Sequence, residues 1–264
     1  MKRLLQLAAI RTVDGFMAGI PRELPDTALV ESCRIIAHRG VHDNRRVVEN
    51  SRAAFELARA SGVWGVECDI RWTADLVPVV IHDADARRVF GRPLRIAEVT
   101  FEQLRRELPL VPSLAEVVAE FGGNTHLMLE LKAQDSPRRD RWAGILRRHL
   151  AGLVPGRDYH VLALDPELFT AVNFLPPEYC FPVAQTNVAA LSRASLEHGY
   201  GGLTGHFLLL DARVKKRHEL AGQRIGTGFV ASRNCLLREL NRGVEWIFSN
   251  HAARLQAILD SFRG

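Results

Sequence analysis

Lysine is scarce in this chain: of 35 basic residues only Lys2, Lys132, Lys215 and Lys216 are lysine, and the rest are arginine. A lysine inside an apolar run is therefore informative here in a way that an arginine is not. Cysteine is also sparse. Cys33, Cys68, Cys180 and Cys235 are scattered and form no CxxC, which excludes a disulfide framework and a zinc ribbon. They read as buried free thiols, and a cytoplasmic location is expected. No apolar run reaches the roughly 18 residues that a membrane-spanning helix needs, so no transmembrane segment is expected. Aromatic residues do not interleave with the arginine pairs Arg138-Arg139 and Arg147-Arg148. These pairs therefore read as solvated helix faces, not as a nucleic-acid surface, although weak contact with an anionic membrane surface stays open. Linkers, low-complexity tracts and repeats are absent, as is a convincing Ser or Cys nucleophile motif.

What the chain does have is a large apolar fraction, 47% hydrophobic against 25% charged over 264 residues with a net charge of +5. That is enough for one sizeable core. Short β-branched runs alternate with longer helical patterns. The runs are 34–37, 65–71, 77–81, 126–131, 160–164, 180–184, 202–204, 224–230 and 244–248. The helical patterns are 51–60, 113–121, 141–150, 166–174, 188–198, 213–221, 234–241 and 252–262. Such alternation predicts an α/β fold with a parallel sheet. The expected architecture is a single-domain TIM (β/α)₈ barrel over 31–264, with a doubly wound open sheet as the alternative. Runs 65–71 and 77–81 are too close for a crossover helix, so they cannot be parallel neighbours; the second should fold back over the barrel mouth. The segment 1–30 is expected to be an N-terminal helical extension. Lys2-Arg3 followed by Leu4–Ile10 faintly resembles a signal peptide, but the apolar stretch is short, contains Gln6 and stops at Arg11.

Active sites of such barrels lie at the C-terminal strand ends, and polar residues crowd those ends early in the chain. The first run closes on His38-Arg39-Gly40, which offers a proton-transfer group and a permanent cation, or else only a surface turn. Asn50 or Ser51 can cap the following helix. In the second run Glu67 and Asp69 share one strand face. Two carboxylates on a buried face need compensation, either from a hard cation such as Mg²⁺ or Ca²⁺ or from arginines at the rim. A second histidine, His82, ends the third run beside Asp83. Glu130 and Lys132 form another i, i+2 pair, readable as a third metal ligand with a phosphate-binding ammonium, or as a buried ion pair.

Taken in order, His38-Arg39-Gly40, Glu49-Asn50-Ser51, Glu67-Cys68-Asp69, Thr73, Asp75, His82-Asp83, Val111–Glu116 and Leu129–Lys132 resemble the glycerophosphodiester phosphodiesterase signature. Each motif is weak alone, and their ordered co-occurrence over 34–132 is specific. The resemblance implies that Glu67, Asp69 and Glu130 hold one divalent cation, Mg²⁺ or Ca²⁺. It implies that His38 and His82 are the general acid and base, and that Arg39 and Lys132 bind phosphate oxygens. The implied reaction is hydrolysis of glycerophosphodiesters to sn-glycerol 3-phosphate and an alcohol, in which the substrate's 2-hydroxyl attacks phosphorus and a cyclic phosphate is then opened. A lysophospholipase D or sphingomyelinase-like enzyme is the alternative, and a non-catalytic barrel that binds phosphorylated ligands is a third. The expected partner is a small-molecule substrate.

Three features depart from the family pattern. Only 28 residues, 84–111, separate His82-Asp83 from Pro112, where a longer inserted subdomain is common. Ser51 replaces the usual threonine. Ile225–Ala231 stands where a Trp-containing strand is usual, so the aromatic wall near the substrate is either missing or supplied by Phe229. The same stretch fits a dinucleotide-binding G-x-G-x-x-A, but that pattern would begin inside a strand, where a phosphate loop cannot form.

Overall fold

The computed structural model describes residues 15–263. Nine strands are present among them: β1 (Arg34–His38), β2 (Gly65–Trp72), β3 (Pro78–Val80), β4 (His126–Leu131), β5 (Tyr159–Ala163), β6 (Cys180–Ala184), β7 (Gly202–His206), β8 (Arg224–Gly228) and β9 (Trp246–Ser249). All except β3 are parallel to their neighbours. β1 pairs with both β2 and β9, which closes the eight parallel strands into a barrel. The open-sheet alternative is thereby excluded. β3 turns back antiparallel onto β2, with Ile70 opposite Val80 and Trp72 opposite Pro78, as the short spacing required. Gly226 lies inside β8, so the dinucleotide pattern has no loop to occupy.

Alternation along the strands divides the core. Ile36, Met128, Leu162, Phe181, Trp246 and Phe248 fill the barrel interior. Their neighbours Ile35, Ala37, Val66, Cys68, Leu127 and Leu129 face outward into the helical layer. Strands buried on both faces read as continuous apolar runs, which is why the runs were visible. The outer layer includes α1 (Thr27–Ser32), α2 (Arg52–Ala60), α3 (Arg87–Phe90), α4 (Phe101–Glu107), α5 (Leu114–Phe121), α6 (Trp142–Leu150), α7 (Val188–Glu197), α8 (Ala212–Leu220), α9 (Arg233–Asn241) and α10 (Ala252–Asp260). Ser51 caps α2 by accepting from the Ala54 amide, and Ser113 forms a capping box with Glu116 at α5.

One expected helix differs. Pro166–Val172 forms a 3₁₀ helix. Its buried residues are Leu168 with Ala171 and Phe169 with Val172, pairs three apart that eclipse only at three residues per turn. The short segment 84–111 carries α3 and α4 and has its own small core. Ala86, Ile96, Leu104, Leu108 and Val111 close onto Val79 and Ile81, so the segment is a fixed wall on one side of the mouth. Of the expected N-terminal extension, residues 1–14 lie outside the described residues. Residues 15–19 are helical, and the chain then runs along α9, where Asn234 donates to the Ala18 carbonyl at 2.7 Å and Asn241 to that of Glu23 at 3.0 Å.

Candidate active site

The acidic residues meet because of strand register. β2 and β4 pair with Asp69 directly opposite Glu130, and β1 and β2 pair with His38 opposite Glu67. Glu67, Asp69 and Glu130 each present an oxygen within 4.8 Å of the others, and all three are buried. Their environments are unequal. Burial, then the charges of Asp69 and Glu130, push Glu67 well above the usual carboxylate range. Asp69 is also opposed by burial, but Lys132 and Arg39 overcome it and hold Asp69 below its ordinary value. Glu130 is raised, because burial outweighs Lys132. Glu67 Oε1 is buried without a hydrogen-bond partner. A buried group of three hard oxygen donors, one of them unsatisfied, matches the donor chemistry of Mg²⁺ or Ca²⁺.

The two candidate phosphate ligands are both engaged with these carboxylates. Arg39 reaches Asp69 through Nε at 3.2 Å and Glu49 through Nη1 at 3.0 Å. Lys132 Nζ lies 2.8 Å from Asp69 Oδ1 and also contacts Glu130. The ion-pair readings and the shared-site reading thus fall on one cluster. Arg39 adopts φ +59, a left-handed conformation that bulky residues rarely take. That conformation is held by its own amide, which donates to the Glu67 carbonyl and to Glu67 Oε2 at 2.9 and 3.1 Å. The adjacent Gly40 has φ +78, and a Cβ there would lie 2.8 Å from Ala54, so no other residue fits this turn.

His38 Nδ1 lies 2.6 Å from Asn250 Oδ1, and its Nε2 is 3.8 Å from Glu67 Oε2. The amide oxygen only accepts, so Nδ1 carries the proton and Nε2 is the free base. Burial, reinforced by Arg39, lowers His38 to about 4. His82 Nδ1 lies 2.7 Å from Asp83 Oδ1, and its carbonyl accepts from Arg71 Nε at 2.7 Å. Burial lowers His82 as well. All seven residues singled out from the sequence therefore converge on the C-terminal ends of β1, β2 and β4 and the turn after β3.

Sequence reasoning missed several neighbours. Asn50, φ +56, which the sequence offered only as a possible helix cap, donates through Nδ2 to Asp69 Oδ2 at 2.7 Å, while Ser51 takes the cap. Asn250 and Arg71, which hold the histidines, had no local signal. Phe229 does stand at the mouth, with φ +67 and 48% exposure, its ring 5.9 Å from that of His38 and stacked on His206 at 5.4 Å.

Fold and site together define a (β/α)₈ barrel with a buried carboxylate cluster and two histidines at the C-terminal ends of its strands and the turn after β3. Residues 38–160 match the glycerophosphoryl diester phosphodiesterase family. The chain is 38% identical over 99 residues to glycerophosphodiester phosphodiesterase 1 of Bos taurus, a match covering 32% of this chain and 29% of that relative's length. A crystal structure of a glycerophosphodiester phosphodiesterase from Parabacteroides distasonis superposes with a TM-score of 0.72 at 23% identity, covering 88% of this chain and 99% of that one. A phosphodiesterase from Oleispira antarctica, solved in complex with the product sn-glycerol-3-phosphate, gives 0.73 at 20% identity, covering 86% of this chain and 96% of that one. These two structures support the fold.

Proposed function

We propose that this protein is a metal-dependent phosphodiesterase that hydrolyses glycerophosphodiesters to sn-glycerol 3-phosphate and an alcohol. The carrying observation is the convergence of Glu67, Asp69 and Glu130 with His38 and His82 in one mouth. The product named for the Oleispira antarctica relative is the one this reading requires. Glu67, Asp69 and Glu130 would hold one Mg²⁺ or Ca²⁺, which when bound neutralises charge on the phosphate. His38, with Nε2 unprotonated, is the base that takes the proton of the substrate's 2-hydroxyl. His82, oriented through Nδ1 by Asp83, delivers a proton to the departing alcohol oxygen as the 2-hydroxyl oxygen bonds phosphorus, and water then opens the resulting cyclic phosphate to sn-glycerol 3-phosphate. Arg39 and Lys132, which stand beside the carboxylates, would bind phosphate oxygens. Four buried free thiols support a cytoplasmic site of action.

A second reading, the same chemistry on a lysophospholipid, is favoured by one observation. Phe229, Leu209 and Leu164, at the C-terminal ends of β8, β7 and β5, are 48%, 43% and 37% exposed. They leave exposed apolar side chains just past three of the barrel strands. Both readings are tested by stripping the purified full chain with a chelator, restoring Mg²⁺ or Ca²⁺, and assaying glycerophosphodiesters and lysophospholipids in parallel. Hydrolysis that returns with the cation is expected. Full activity in the stripped protein, or none on any substrate with either ion, would overturn the proposal.

A further inference from the structure

Arg88 belongs to α3, in the segment that folds as a wall beside the mouth. Its guanidinium uses all three nitrogens. Nη2 and Nη1 grip Glu49 Oε1 and Oε2 at 2.6 and 2.9 Å, and Nε binds Asp83 Oδ2. Glu49 is itself buried and shares Oε1 with Arg39 at 3.0 Å, while its Oε2 accepts from Asn44 at 2.6 Å. Burial pushes the Glu49 carboxyl up, yet Arg88, Arg39 and Asn44 outweigh it and hold the group ionised, at about 2. Asp83 uses its other oxygen on His82 Nδ1. One continuous chain of contacts thus runs His82, Asp83, Arg88, Glu49, Arg39, Asp69.

We propose that Arg88 is a positioning residue that sets the orientation of His82 and Arg39 together by clamping Asp83 and Glu49. The proposal rests on the phosphodiesterase reading for its kinetic consequence, but not for the clamp itself. With Oδ2 pinned by Arg88, Asp83 can aim only Oδ1 at the imidazole, which fixes Nδ1–H inward and leaves Nε2 as the working nitrogen. With both Glu49 oxygens held, Arg39 has one defined site for Nη1. A planar fork makes these three bonds at fixed angles; a lysine ammonium is a point charge on a flexible stem and cannot reproduce them. Misplacing a catalytic group by an ångström can cost about 100-fold in rate.

The test compares Arg88→Lys, Arg88→Ala and Arg87→Ala in the full chain with its divalent cation. Arg87 is exposed on the same short helix, and its removal should leave kcat within about twofold. Arg88→Lys and Arg88→Ala should each lower kcat by roughly 10- to 100-fold with KM nearly unchanged. Added guanidinium should restore part of the Arg88→Ala rate, and it should not restore Arg88→Lys. Proton NMR of histidine-¹⁵N protein supplies a readout free of activity. The His82 Nδ1–H signal, assigned by its loss in His82→Gln, should be present in the parent and broadened or lost in both Arg88 variants. An Arg88→Lys enzyme with parental kcat, or an unchanged His82 Nδ1–H signal in Arg88→Ala, would overturn the clamp. If the parent protein hydrolyses nothing, the phosphodiesterase reading fails, while the NMR result still decides whether Arg88 orients His82.

Discussion

Acid should destabilise this fold through a pair of histidines far from the site. His126 begins β4 and His160 lies in β5, at the N-terminal end of the barrel, and both are buried. His126 Nδ1 lies 2.8 Å from the Arg157 carbonyl, so Nδ1 must carry the proton. His126 Nε2 then accepts from His160 Nδ1–H at 2.8 Å. His126 also stacks on Trp64 with ring centroids 4.0 Å apart, and His160 lies against Trp246 at 4.9 Å and Phe181 at 5.3 Å. A proton added to His126 Nε2 would face another N–H, and one added to His160 would charge a ring among aromatics. Burial accordingly lowers His126 to about 4, and burial with the neighbouring His126 lowers His160 to about 3. The unfolded chain, with histidines near 6.5, binds more protons than the folded one between pH 6.5 and about 4. Stability therefore falls as pH drops through that window and is fully present above it. A shift from 6.5 to about 4 is worth about 3 kcal/mol at roughly 1.4 kcal/mol per unit, and the second histidine adds less than its own shift because the two titrate together. Against a typical total of about 5–15 kcal/mol this is a large share. Urea unfolding of the parent and of a His126→Gln/His160→Gln variant at pH 7.5, 6, 5 and 4 isolates the effect, because the carboxylate cluster titrates alike in both. The parent should lose about 3 kcal/mol more than the variant between pH 7.5 and 4. Parallel pH curves would refute the argument.

Three further predictions concern the site. Asp69→Asn keeps the size of the side chain and removes one of the three charges facing a cation; calorimetric titration should show weakened Mg²⁺ or Ca²⁺ binding, activity should be mostly lost, and circular dichroism should be unchanged. His38→Ala and His82→Ala should each lower kcat by about 10² to 10⁴ with cation affinity retained and non-additive effects in the double variant; loss of affinity in step with rate would make that histidine a support for the metal ligands. With only 28 residues in 84–111, alcohol head groups should be distinguished by less than about 100-fold in kcat/KM, roughly 2.7 kcal/mol; a stronger preference measured across a head-group panel would contradict this.

The sequence disclosed most readily what local periodicity controls. Two-residue alternation placed Glu67 with Asp69 and Glu130 with Lys132, and the rarity of lysine drew attention to Lys132. Arg88 was hidden by the opposite circumstance, since one arginine among so many carries no signal. Asn250 was hidden by distance, because it meets His38 across 212 residues of chain and only barrel closure brings them together. Phe229 and Arg39 depend on left-handed backbone, and nothing in their side chains announces it. The 3₁₀ helix at Pro166–Val172 was misread because buried pairs three residues apart also satisfy an α-helical pattern.

The unequal treatment of the carboxylates follows from where the cations stand. Arg39 and Lys132 both lie on Asp69, and Asn50 adds a third donor, so Asp69 is ionised without further help. Glu67 receives only the Arg39 amide and a distant His38, and its second oxygen has no hydrogen-bond partner. A fold selected for stability alone would have little reason to bury that oxygen, since an unmatched buried acceptor costs about 1–3 kcal/mol. The cost is local to the mouth. The strands around it are packed on both faces, and α2, α5 and α9 are capped by Ser51, Ser113 and Ser232. The buried carboxylates on β2 and β4 are thus where a divalent cation would relieve an unmatched acceptor, Glu67 Oε1.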